Sequence, residues 1–299
     1  MAQVNRTLEQ CQNHAIHLIS LEDEAYPEAL RVVEGAPLVL FVRGALNPLT
    51  WAQRLAIVGA RKSSQESRLI ARRWSHYFSE RQISIVSGMA YGIDTAAHGG
   101  ALQGEAPTTA VLGCGLIALQ RQQIAQVEAI VAHHGCVVSE YLPLQTARPE
   151  FFPQRNRIIA ALSQATLVIE ADIRSGSLIT ARLANEYGRD VFAVPGSVLL
   201  DGHAGCHQLI REGAILTDSA EQVMQEMGWL SEKANKNNLL CESDDESGVV
   251  SALQSEVLHL DALSQACGLT VPELSPILLA LELRGVIERL PGSRYTLGG

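Results

Sequence analysis

The sequence predicts an α/β protein with a doubly wound, mostly parallel, Rossmann-like sheet and a small C-terminal winged-helix domain. Three observations carry this. Seven short, continuously apolar runs alternate with helical patterns between Leu55 and Met227, which is how strands covered on both faces and joined by crossover helices read. A polar, unpatterned stretch, SEKANKNNLLCESDDESG, then interrupts the pattern from Ser231 to Gly248. Beyond it come three short helical patterns and two strand-like runs.

In chain order, residues 1–50 form a leader and an extension packing on the central domain. A Tyr26-Pro27 turn and a helix through Leu30 precede a short strand, Leu38–Val42. Residues 51–230 form the Rossmann-like domain. Its strands are expected at Leu55–Val58, Ile83–Val86, Thr109–Leu112, Cys136–Ser139, Leu167–Ile169, Val191–Val194 and Ala214–Thr217. Its helices are expected at Glu66–Arg81, Thr95–Gln103, Arg121–His134, Asn156–Gln164, Ser177–Tyr187 and Cys206–Glu212. Residues 231–248 read as a linker. Residues 249–299 supply helices at Val249–Leu258, Leu260–Cys267 and Pro272–Arg284 and a two-stranded wing, Gly285–Leu290 with Arg294–Leu297.

Composition narrows the function classes. An apolar fraction of 47% and a charged fraction of 18% are those of a globular chain. There is no apolar run of membrane-spanning length and no apolar core of a signal peptide, so a cytoplasmic location is expected. Six scattered cysteines without a C-x-x-C pair fit reduced thiols. His203, Cys206 and His207 form the tightest group of metal-ligand types, but a fourth ligand is missing, and the group reads as a polar loop with no metal.

The net charge of −9 argues at first against nucleic acid. Its distribution reverses that. Residues 51–200 hold 14 basic and 11 acidic groups, whereas residues 1–50 hold 3 and 6, and residues 201–299 hold 6 and 15. The central block is thus +3 between flanks of −3 and −9, and local potential matters more for contact than global charge.

The site candidates cluster after three strands. Leu167-Val168-Ile169 ends in a loop before Ser175-Gly176-Ser177, which opens a helix. Such a helix start offers unpaired N–H groups, the positive end of a dipole and two hydroxyls, all suited to an anion. Gly59-Ala60-Arg61-Lys62 follows the first central strand, and Ser87-Gly88-Met89 follows the second. In an open parallel sheet, ligands sit at that carboxyl edge. Arg61 is placed for a bidentate phosphate contact, with Lys62 beside it, and Arg148 extends the basic path. Phe151 and Phe152 lie in the loop before the next helix, where one can be core and the other, Phe152, can stack on a base. Arg155 and Asn156 are the leading phosphate or sugar contacts. Arg157 is expected to pair with Glu170 or Asp172, and Asp94 to cap the helix beginning at Thr95 with His98 packed beneath. No Ser–His–Asp or Cys–His set suggests a nucleophile. The G-x-G-x-x-G fingerprint is absent after the first strand, which disfavours a nicotinamide dinucleotide as cofactor, and none is assigned.

The segments IVGARKSS, SGMAYGIDTAAHGGAL, VLGCG, SEY, FFPQRNRIIAALS, VIEADIRSGSLITARLANEYGRDVFAVPG and LIREGAI, in this order, resemble the DNA-processing protein A family, DprA or Smf. The resemblance runs from Tyr26-Pro27 to Thr217. It implies a bacterial, non-enzymatic, homodimeric protein that binds and protects incoming single-stranded DNA and loads RecA during natural transformation. The DNA contacts read from the residues are Gly59, Arg61, Lys62, Gly88, Arg148, Phe152, Arg155, Asn156, Ser175, Gly176 and Ser177. A second class remains open: a nucleotide-processing enzyme related to lysine-decarboxylase-like phosphoribohydrolases, whose P-G-G-x-G-T-x-x-E pattern is matched here only loosely, with Glu186 too far along the helix. The last helical pattern carries Glu273 and Glu282 against Arg284, so a protein-contact or spacer role is favoured for the winged module over DNA reading.

Overall fold

A computed structural model describes residues 2–199, 201–229, 243–253, 257–284 and 286–297. Most of the expected linker therefore lies outside the described residues. The chain divides into two compact units, residues 1–223 and 224–299.

The first unit is built on a nine-stranded sheet. Its strands are β1 (Ile16–Ser20), β2 (Val39–Gly44), β3 (Arg54–Val58), β4 (Ser84–Ser87), β5 (Thr108–Val111), β6 (Cys136–Ser139), β7 (Ala165–Val168), β8 (Asp190–Ala193) and β9 (Ile215–Leu216). The order across the sheet is β1-β2-β6-β5-β4-β3-β7-β8-β9. The seven strands from β3 onward pair in parallel, while β1 and β2 extend one edge antiparallel. Strand β1 escaped the sequence reading because Ile16-His17-Leu18-Ile19-Ser20 does not alternate. It buries Ile16 and Ile19 and leaves the edge-strand residues His17 and Leu18 exposed.

The helices are α1 (Ala2–Asn13), α2 (Glu28–Arg31), α3 (Gln65–Glu80), α4 (Ile93–Ala101), α5 (Arg121–Ala132), α6 (Phe151–Leu162), α7 (Ser177–Glu186), α8 (Ala204–Arg211) and α9 (Ala220–Glu226). Alternate strand residues feed two cores, as side chains of period two must. On β2, Leu40 and Val42 join one and Phe41 the other; on β6, Cys136 and Val138 oppose Val137. The expected leader is a helix, α1, whose Cys11 packs into the second core beside Ile16. Helix α6 begins five residues earlier than expected, so Phe151 and Phe152 form its first turn and not a preceding loop.

Chain order rises from β3 through β4, β5 and β6 in one direction and from β7 through β8 and β9 in the other. Strands β3 and β7, adjacent in the sheet, are thus the switch point, where connections diverge to leave a crevice at the carboxyl ends.

The second unit contains α10 (Asp244–Leu253), β10 (Leu258–His259), α11 (Leu260–Cys267), α12 (Val271–Leu283), β11 (Ile287–Leu290) and β12 (Arg294–Leu297). Its strands form an antiparallel sheet ordered β10-β12-β11. Val249, Val250, Leu253, Leu263, Leu274, Leu278, Leu281, Val286, Ile287 and Tyr295 make its core. This is a winged helix. Helix α10 starts at Asp244, inside the stretch read as linker, and Leu258 belongs to a strand rather than to the end of that helix.

Candidate nucleic-acid interface

A cleft of about 770 Å³ opens at the switch point, walled by the loops after β3 and β7 and by the starts of α6 and α7. Gly59, Arg61, Lys62, Phe152, Arg155, Asn156, Ser175, Gly176 and Ser177 all line it. Gly88 and Arg148 do not. Gly88 lies buried behind Arg155, while Arg148 is exposed with its guanidinium 5.6 Å from the Phe151 ring centre, next to the lining residue Pro149.

The phenylalanines divide. Phe151 is buried and stacks on Tyr141 with ring centres 4.1 Å apart. Phe152 faces the cleft with the Arg61 guanidinium 4.7 Å over its ring. An exposed cation held over an aromatic face presents a charge and a stacking surface in one place.

Helix α7 starts at Ser177 with Gly176 as its cap. The Ser175 and Ser177 hydroxyls lie 2.7 Å apart, and Asn156 Nδ2 donates to the Gly176 carbonyl at 3.2 Å, tying α6 to this turn. Exposed Arg174 completes the mouth. Thr180, one turn into α7, is buried and lines the cleft with its hydroxyl unpartnered among the described residues. A free hydroxyl beneath a helix start is a donor in reserve for an anion.

Arg155 stands differently from the sequence expectation. It is 3% exposed. Its guanidinium donates to the carbonyls of Gly88, at 2.6 Å, and of Val111, so it clamps the carboxyl ends of β4 and β5. A Cβ on Gly88 would lie 2.5 Å from Arg155 Nη2 and 2.7 Å from Asp94 Oδ2, so the two charged groups meet over a residue that must lack a side chain. Burial pushes the Asp94 carboxyl up to about 6 against the pull of Arg155, and pushes Arg155 down to about 10. Contrary to expectation, Asp94 does not cap α4, because that helix starts at Ile93 behind Gly92; its Oδ2 accepts from Ala90 N–H at 3.3 Å. His98 is fully buried with Nδ1 2.8 Å from the Thr108 hydroxyl, and burial holds it down at about 3.

Arg157 pairs with Glu140 at 2.6 Å, not with Glu170 or Asp172, because its position on α6 turns it away from the cleft. Glu170 instead accepts from the Ser64 N–H and hydroxyl at 2.9 and 2.8 Å, fixing the start of α3. His207 meets the backbone of Gly196, and among the described residues no cluster of three or more His, Cys, Asp or Glu is placed to hold a metal ion. No described helix is by itself long and apolar enough to cross a membrane.

The family model for DNA recombination-mediator protein A matches residues 17–228, and the model for the DprA winged helix domain matches residues 234–293. The chain belongs to the DNA recombination-mediator protein A family. Among its relatives, protein Smf of Escherichia coli K12 is 39% identical over 95% of this chain and 78% of its own length. DNA processing protein DprA of Streptococcus pneumoniae is 42% identical over 69% of this chain and 73% of its own. The X-ray structure of the Streptococcus pneumoniae protein superposes with a TM-score of 0.66 at 40% identity, over 73% of this chain and 77% of that one. A DprA structure from Helicobacter pylori, described as giving insight into a unique single-stranded DNA binding mode, superposes at 0.63 with 26% identity over 71% and 95%.

Arg174, Thr180 and the clamp formed by Arg155, Gly88 and Asp94 escaped the sequence reading. Arg174 had a signal, standing directly before Ser175-Gly176-Ser177. The clamp had none, since Arg155 and Gly88 are 67 residues apart and meet through a main-chain carbonyl.

Proposed function

We propose that the cleft binds single-stranded DNA through its sugar–phosphate backbone, and that the protein protects such strands and passes them to RecA during natural transformation, acting as a cytoplasmic homodimer. The observation that carries the DNA reading is the exposed Arg61 over Phe152, facing a helix start with an unpartnered Thr180 hydroxyl across a cleft of about 770 Å³. These groups recognise phosphate and any base face, so they give affinity without sequence preference. A duplex offers the phosphates but withholds the base faces. The step to RecA, the dimer and the setting of transformation rest on family resemblance alone.

The test compares single- and double-stranded oligonucleotides of equal length across salt, with nucleotide hydrolysis followed in parallel. Tighter binding of the single strand with a steep salt dependence and no turnover is expected. Equal affinity for blunt duplex and single strand would sink the proposal, and steady hydrolysis would favour the nucleotide-processing alternative.

A further inference from the structure

Helix α3 carries a charge pattern that the cleft does not use. From Arg61 to Arg73 the chain holds Arg61, Lys62, Arg68, Arg72 and Arg73 against a single acidic residue, Glu66, within a protein of net charge −9. Arg61 and Lys62 line the cleft. Arg72 and Arg73 do not, yet both are exposed, and among the described residues neither is paired with a carboxylate.

Solvent-exposed helices laced with salt bridges alternate their signs, and an arginine on one gains support from an acid three or four residues away. Here Glu66 stands six residues before Arg72, off its stripe, and Glu80 pairs instead with His76. The neighbouring helix supplies no counter-charge either. Helix α4 reads IDTAAHGGA, and its one acid, Asp94, is buried toward Arg155. Its small residues bring the two helices into contact: a Cβ on Gly100 would lie 2.0 Å from the Arg72 carbonyl oxygen. The position of Arg72 is thus fixed by backbone packing.

Arg68 bridges the two groups. Half-buried, it donates to the Ser63 carbonyl at the start of the helix, between the cleft loop and Arg72. From its first turn to Arg73, α3 spans roughly 13 Å at a rise of 1.5 Å per residue, and a stacked strand advances about 3.4 Å along its axis per phosphate. Several phosphates fit along it.

We infer that α3 is an exit track: a single strand held in the cleft leaves past Lys62 and runs its phosphates along Arg72 and Arg73. This rests on the DNA reading of the cleft and adds the direction in which the polymer continues. It makes the binding footprint longer than the cleft.

The experiment measures affinity of the full-length protein for oligothymidylates of about six and about thirty nucleotides across salt, for wild type and for Arg72→Gln/Arg73→Gln. The longer strand should bind the variant several-fold more weakly, with the log–log salt slope reduced by about 1.4, or 0.7 for each of two phosphates. The shorter strand should bind both proteins alike, and the melting temperature should not move, since both side chains are exposed. Equal binding of wild type and variant on the longer strand would remove the track and leave the cleft intact. Equal losses on both lengths would place the arginines in the cleft or in the fold and also overturn it. Failure of wild type to bind either length would remove the cleft reading and the track together.

Discussion

Arg61 and Arg155 show one guanidinium used in two ways. Arg61 is exposed over Phe152, so on the proposed reading Arg61→Ala removes a DNA contact and little else. Single-strand affinity should fall and the log–log salt slope should flatten by about 0.7, with the melting temperature unchanged. Arg155 is buried and holds two strand-end carbonyls beside Asp94; Arg155→Ala strands a buried carboxyl group and two acceptors and should cost about 3–5 kcal/mol in urea unfolding. If Arg155→Ala instead folds normally and only loses DNA, the clamp is a direct contact after all. Asp94 gives a pH test. Its folded value, about 6, lies above the ordinary carboxylate value of about 3.9, so the folded state takes up a proton as pH falls through that window and gains stability there. His98, held at about 3 against an ordinary 6.5, works oppositely and loses stability as pH falls from about 6.5. The two nearly cancel between pH 6 and 4 in the wild type. In Asp94→Asn only the loss remains, so the wild type should gain stability relative to the variant by about 1.4 kcal/mol for each pH unit lowered across that window; parallel curves would show that Asp94 is not the titrating group.

At the scale of elements, the local rules act most clearly on the parallel strands and on two glycines with opposite duties. Gly92 has φ +84°, and a Cβ there would meet the Ala60 carbonyl at 2.3 Å, so the loop after β4 closes on the loop after β3 only because the side chain is absent. Gly92→Ala should cost about 2 kcal/mol or more. Gly176 has an ordinary φ of −63° and open space where a Cβ would stand. Gly176→Ala should change stability by no more than about 0.5 kcal/mol while weakening oligonucleotide binding, because its methyl would face the ligand. Calorimetry beside an affinity measurement separates the two, and a large melting shift at Gly176 would mean that the turn is needed for the fold itself. The central strands were legible because buried parallel strands are written as unbroken apolar runs, as in Leu55-Ala56-Ile57-Val58. Strand β1 was not, since its two buried residues are three apart and its partners on β2 lie 19 to 27 residues away. The start of α6 was misjudged because Pro153 reads as a breaker, although proline is tolerated in a helix's first turn, where no N–H is needed. The cleft's loops could be seen from the residues that follow each strand; which arginine faces outward could not, because that depends on where the main chain of β4 and β5 passes.

For the whole molecule, the acidic end of the chain noted in the sequence takes in all of the second unit and leads to a prediction about it. Residues 224–299 hold 11 acidic and 5 basic groups, a poor surface for a polyanion. Within the winged helix, α12 is the element that such folds offer to a DNA groove. Its Glu273 caps its own helix by accepting from the Thr270 N–H and hydroxyl, and Arg284, at its end, is engaged with Glu246 of α10. The only basic residue there is thus committed to the unit's own packing, while Glu282 remains to repel a phosphate. The unit has its own core, from Val249 to Tyr295, so its loss should not expose the first unit's core. Truncation after residue 229, which leaves α9 whole, should yield a folded protein that keeps single-strand affinity within about twofold, or about 0.4 kcal/mol, with any change toward tighter binding at low salt as repulsion is relieved. A folded truncated protein that binds tenfold more weakly, a loss of about 1.4 kcal/mol, would show that the winged helix contacts DNA in spite of its charge.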